Sequence, residues 1–288
     1  MIYLMISLAG FCMLSIGFKL VSIYQADMKR VIFINYVTAT VLTMAVTVLS
    51  LKDKYSFERF GNNDFWKMMC LAIALGFSMI QNLWCTEVST DKNGLGSTTF
   101  FSRAGFLICI VLSAVLWKDF PGMLQAAGIL VLLISMAEMM RGTQDGSVAG
   151  DRKLFPVLFI GSGLVFFFNA VYGKYFPAEH KPLFLSIVFM MTLISSVVLL
   201  FRGEREQSSS LTTDILLGGM IGISNAVGTF FQLKSLDFLS VAVVMPVSAA
   251  GNLLIVALAG RFCFKEKGNR HTAAAIVLAV ISLILINL

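Results

Sequence analysis

A single arginine stands inside a long apolar run. Arg103 follows Thr98-Thr99-Phe100-Phe101-Ser102 and precedes Ala104-Gly105-Phe106-Leu107-Ile108-Cys109-Ile110-Val111-Leu112. A guanidinium is planar, permanently charged and rich in donors, so its chemistry is recognition of a carboxylate or a phosphate. Ten residues into a membrane helix it lies about 15 Å deep. A charge at a helix centre there costs about 2.5–3.5 kcal/mol on the insertion scale. Unless the span begins elsewhere and Arg103 lies nearer the interface, two compensations are open. Glu138 is level with Arg103 across the turn near Phe120 and can form a structural ion pair with it. Alternatively, Arg103 faces a wet cavity and holds the anionic group of a substrate.

Other polar residues recur at helical steps of three and four. One stripe is Gly218, Gly222, Asn225, Thr229 and Gln232. A second is Tyr36, Thr40, Thr43 and Thr47, with Asn35 beside Tyr36. Ser162, Asn169 and Tyr172 form a third, and Cys12, Ser15, Lys19 and Ser22 a fourth. Ser78, Gln81, Asn82 and Cys85 lie less cleanly on one face. Such edges face protein or water, because polar groups cannot face lipid cheaply. The plain reading is hydrogen bonding between helices or to a helix's own backbone. The functional reading makes Arg103, Lys19, Asn35, Tyr36, Gln81, Asn169, Tyr172, Asn225 and Gln232 the candidate substrate-binding residues. For Lys19, near the end of its helix, snorkelling to the surface is the simpler account.

No catalytic set accompanies them. The only histidines, His180 and His271, lie near helix ends, and the sequence has no HExxH, GxSxG or P-loop. The reading is a protein that is not an enzyme and does not use ATP directly. The five cysteines form no CxxC pair, which argues against a disulfide framework or a zinc site. No cofactor or metal is implied.

The elements that must position these groups follow from composition. The chain has 288 residues, of which 58% are hydrophobic and 13% charged, with a mean hydropathy of +0.86. A soluble domain carries about 25% charged residues, so the solvent here is mostly lipid. The net charge of +6 suits loops facing anionic headgroups. Nucleic acid is not an expected partner, because no Lys/Arg cluster is interleaved with aromatics. A spanning helix needs about 20 apolar residues. Ten such runs are expected, at 2–24, 31–50, 66–87, 94–117, 122–140, 154–175, 183–201, 211–233, 238–260 and 271–287. Spans four and five form a tight hairpin through Lys118-Asp119-Phe120-Pro121-Gly122.

The polar stretch 141–153 divides the chain in the middle. A shift of 146 residues aligns Gly76 with Gly222, Ser78 with Ser224, Asp91 with Asp237, Ala104-Gly105 with Ala250-Gly251 and Gly122 with Gly268. The expectation is an all-α membrane protein of two repeats, 1–145 and 150–288. Because five spans is an odd number, the repeats are inverted. That architecture places a site near the midplane and permits alternating access.

In its second half the sequence resembles the drug/metabolite transporter superfamily, in its EamA-like branch. Met245-Pro246-Val247 resembles the Pro-Val pair usual there. Ala259-Gly260-Arg261-Phe262-Cys263-Phe264-Lys265-Glu266-Lys267-Gly268, followed by an apolar helix, resembles the hairpin that closes each half. The first half departs, with Phe100 at the counterpart of Pro246 and Trp117-Lys118-Asp119-Phe120 in place of the Gly-Glu pattern. The resemblance implies a ten-span transporter with peripheral spans five and ten and cytoplasmic termini. Lys and Arg counted over all loops mildly favour the reverse orientation, whereas the loop 51–67, in the earlier half, favours cytoplasmic termini.

These readings converge on a secondary transporter, an exporter or exchanger, in the plasma membrane, which would be the inner membrane of a bacterium. Span one holds no acid for cation/proton antiport, and Glu87 and Glu138 stand near span ends. A small anionic or zwitterionic metabolite is the expected substrate. A monomer, or a homodimer through the peripheral helices, is the expected assembly. The rival class is a non-catalytic membrane scaffold or subunit.

Overall fold

A computed structural model describes residues 1–54, 62–93, 95–142, 151–200, 210–262 and 269–288. Described residues fold into α1 (Ile2–Ile23), α2 (Met28–Lys54), α3 (Asn62–Asn93), α4 (Leu95–Ala104), α5 (Phe106–Trp117), α6 (Met123–Gly142), α7 (Leu154–Tyr175), α8 (Lys181–Leu200), α9 (Leu211–Ser235), α10 (Val241–Phe262) and α11 (Arg270–Asn287). A 3₁₀ turn, Ala178–His180, precedes α8. Ten helices are long and apolar enough to cross a membrane among these residues, α4 and α5 together supplying one. The protein is a multi-pass, all-helical membrane protein. Most of the expected midpoint linker and the Cys263–Gly268 part of the second hairpin lie outside the described residues.

The span expected over 94–117 is present as one span, Ser97–Trp117, built from two helices that meet at Gly105. Gly105 keeps right-handed helical dihedrals (φ −53°, ψ −24°). The Ile108 N–H donates to the Gly105 carbonyl at 3.0 Å, a tighter turn than the α-helix makes. The cause is close packing. A Cβ at Gly105 would lie 2.0 Å from Ser162 Oγ and 2.7 Å from the Gly163 nitrogen on α7.

The chain divides into two compact units. The first comprises Met1–Ile80 and Val171–Asp237, the second Gln81–Ala170 and Phe238–Leu288. Each unit thus draws helices from both sides of the midpoint.

In the first unit α9 packs on α1 and α2, and α2 packs on α8. Small residues allow the approach. A Cβ at Gly10 would stand 2.8 Å from the Gly228 nitrogen, and one at Gly222 would stand 2.6 Å from the Asn35 carbonyl oxygen. Ser7 Oγ donates to the Gly228 carbonyl at 2.8 Å. Both ends of α9 are pinned by charge. At its start, Arg30 bonds the Asp214 carboxylate at 3.3 Å and that of Asp27 at 3.2 Å. At the other end, the fully buried Lys181 pairs with Asp237.

In the second unit α6 packs along α11. Ser135 Oγ donates to the Ala275 carbonyl at 2.6 Å, and Asn269 Nδ2 to the Gly142 carbonyl at 2.8 Å. The spans over α6 and α11 are 28% and 22% buried, against 76% for that over α10. That fits the peripheral place expected for spans five and ten. The span over α7, also 28% buried, shares their exposure.

Candidate anion-binding site

The last turn of α4 carries Arg103 just before Gly105, where α4 meets α5. Its Nη2 donates to Asn252 Oδ1 on α10 at 3.3 Å. Asn252 is 4% exposed. Glu138, the carboxylate expected opposite Arg103, is engaged elsewhere. It accepts from Arg141 at 2.6 Å, and its other oxygen meets His271 Nδ1 at 2.8 Å. The expected Arg103–Glu138 pair is therefore not formed. Residue spacing gives depth alone. Depth does not fix azimuth, and Glu138 lies on the side of α6 that meets the start of α11. Among the described residues no carboxylate stands within salt-bridge distance of Arg103. The Glu87 side chain lies outside those residues.

The same unit holds buried polar atoms without partners among the described residues. These include Asn82 Oδ1 on α3, Asn169 Oδ1 on α7 and Ser248 Oγ on α10. Asn82 faces α7, its Oδ1 3.5 Å from where a Cβ on Gly161 would be. Asn169 gives its amide to the Val165 carbonyl of its own helix at 2.8 Å, leaving the oxygen unused. An unsatisfied buried polar group costs about 1–3 kcal/mol, so such atoms persist where something else completes them. Gln81 belongs to this unit and is exposed.

The other candidates lie in the first unit. Asn225 Nδ2 donates to Asn35 Oδ1 at 3.3 Å, bringing the stripes of α9 and α2 together. Thr229 Oγ1 continues the chain to Asn225 Oδ1 at 3.4 Å. Tyr36 and Gln232 are buried. Thr40, Thr43 and Thr47 bond carbonyls of their own helix, at 2.7, 2.8 and 2.8 Å. Thr47 also meets Ser186 on α8 at 2.9 Å. For these threonines the plain reading of the stripe holds. Tyr172 is fully buried, stacks on Phe184 with ring centroids 4.0 Å apart, and donates its hydroxyl to the Pro177 carbonyl at 3.0 Å. Lys19 is half-buried one turn before the end of α1.

Sequence reasoning missed Asn252 and Ser248. The signal is two polar residues four apart, two and six residues beyond Pro246, in a largely apolar helix. Charge complementarity points to a carboxylate for Arg103, whereas the acceptor it meets is the neutral amide of Asn252 on α10.

No curated protein matches the chain by sequence. Among the solved structures that match, one, "Crystal structure of protein", has a TM-score of 0.76 at 12% identity, over 99% of this chain and 98% of that one. At that identity the likeness speaks for the fold alone. Residues 154–288 match the EamA-like transporter family. On a chain with ten helices long and apolar enough to span a membrane, residues 154–288 are thus similar to an EamA-like transporter domain.

Proposed function

We propose that the protein is a secondary transporter of small anionic or zwitterionic metabolites, working by alternating access between two inverted five-helix repeats. The observation that carries this reading is Arg103. Its charge lies within a membrane span, its described partner is a neutral amide, and no described carboxylate balances it. An uncompensated guanidinium in low dielectric is costly until an anion arrives. Binding of the anion supplies the missing charge, which is a reason for the protein to keep an arginine there. Asn82 Oδ1 and Asn169 Oδ1 are acceptors in the same unit. They suit the hydroxyl or ammonium donors of a polar metabolite.

The bilayer is taken to be a plasma membrane with cytoplasmic termini, and the weakly buried faces of α6 and α11 are the surfaces through which two copies would pair. Uptake by proteoliposomes containing the purified protein alone tests the reading. Carboxylate or phosphate substrates should be carried, and Arg103→Gln should cut their transport sharply while the protein stays folded. Equal thermal stabilisation of wild type and Arg103→Gln by anions defeats the assignment. Transport that appears only with a second protein present would favour the scaffold class.

A further inference from the structure

We infer that Asn252 sets the charge selectivity of the transporter, acting as a positioning residue that holds Arg103 without neutralising it. This rests on the anionic reading above and deepens it. Asn252 presents Oδ1 to Nη2 at 3.3 Å, on a position 4% exposed. Among side chains of this size that can accept from the guanidinium, two compare directly at the position, an amide and a carboxylate. The two have nearly the same shape and opposite consequences. A carboxylate would close an ion pair and cancel the field that draws an anion. The amide orients the fork, uses one donor and leaves the whole positive charge.

Ser248 stands one helical turn before Asn252 on α10 and on the same side of it. It is 5% exposed, and its Oγ has no partner among the described residues. A serine in a helix normally returns its hydroxyl to the carbonyl four residues back. Ser78, Ser162, Ser195 and Ser224 all do so in this protein. Ser248 does not, and its hydroxyl is left to meet a ligand beside the guanidinium. The pair suits a compact carboxylate, with one oxygen on the Arg103 fork and a neighbouring polar atom on Ser248.

The test compares carboxylates (lactate, succinate, glutamate) and inorganic phosphate with the neutral lactamide and succinamide. The readouts are thermal stabilisation of the purified protein and the KM and Vmax of proteoliposome uptake. Wild type should favour each carboxylate over its amide. Asn252→Asp should erase that preference, raising KM for carboxylates about tenfold or more without lowering the melting temperature, because the new ion pair is isosteric. Asn252→Ala should keep the preference while reducing Vmax, because the charge remains but its aim is lost. Asn252→Gln should restore part of the rate. If Asn252→Asp retains the wild-type preference, the role of Asn252 is overturned and the anionic reading stands. If wild type itself fails to distinguish lactate and succinate from their amides and ignores phosphate and glutamate, the anionic reading falls and takes this inference with it.

Discussion

The two compact units treat their buried polar groups differently. In the first, Asn225 meets Asn35, Lys181 meets Asp237, and Arg30 bridges Asp27 and Asp214. In the second, Arg103 has a neutral partner, and Asn82, Asn169, Ser248 and Ser282 each hold a buried atom with no partner among the described residues. Fully satisfied networks rigidify, and partly satisfied ones mark where a ligand or water belongs. On the proposed reading, these paired contacts brace the first unit, and the open atoms around Arg103 in the second are where a substrate would bind.

Mutations can break this contrast, and they are expected to do so in a definite order. Asp237→Ala strands the buried Lys181 charge and should cost on the order of 3–5 kcal/mol in the first unit. A large fall in melting temperature should be partly recovered by the double variant Lys181→Met with Asp237→Leu. Arg103→Gln should cut anion uptake about a hundredfold, equivalent to about 2.8 kcal/mol. It should leave stability unchanged or higher, because an uncompensated charge leaves the membrane. A loss of stability there would mean that Arg103 is structural. Gly222→Val forces a side chain into the α2 backbone, where a Cβ already meets the Asn35 oxygen at 2.6 Å. Overpacking of this kind costs about 1–3 kcal/mol. It should lower thermal stability without altering the carboxylate-to-amide ratio.

The sharpest comparison is between two small truncations. Asn225→Ala, in the paired region, should cost about 0.6–2 kcal/mol, the range for polar contacts between membrane helices. Ser248→Ala, in the unpaired region, removes a hydroxyl that bonds nothing described. Its melting temperature should stay within about a degree of wild type, while carboxylate KM rises a few-fold. If the two truncations cost equal stability, the distinction between the units fails.

The span count was legible because the bilayer enforces it. Each helix must be long and apolar whatever it packs against, so hydropathy and breaks located ten spans to within a few residues. The stripe on α9 was legible for the same reason, since Gly218, Gly222 and Asn225 share an edge that lipid would penalise. The helix junction at Gly105 was not, because Ser162 and Gly163 approach it from another helix. Nor was the partner of Arg103. Residue spacing gave its depth but not which neighbour faced it, and chemical habit suggested Glu138. The acceptor turned out to be Asn252, 149 residues away in the chain. Tyr172 shows the reverse case, where a residue on a polar edge spends its hydroxyl on the Pro177 carbonyl five residues on.

The hydrogen bond from Ser7 to Gly228 joins residues 221 positions apart, and this has a consequence for biogenesis. At about 5–20 residues per second, α9 emerges roughly 10–45 s after α1. During that interval the glycine edge of α1 and the Asn35 amide of α2 lie in the bilayer without their eventual cover. The nascent chain must keep these helices soluble in lipid yet unpaired with strangers. A membrane-insertion factor that shields small-residue and amide edges would raise the yield of this protein more than that of one whose first two helices pack on each other.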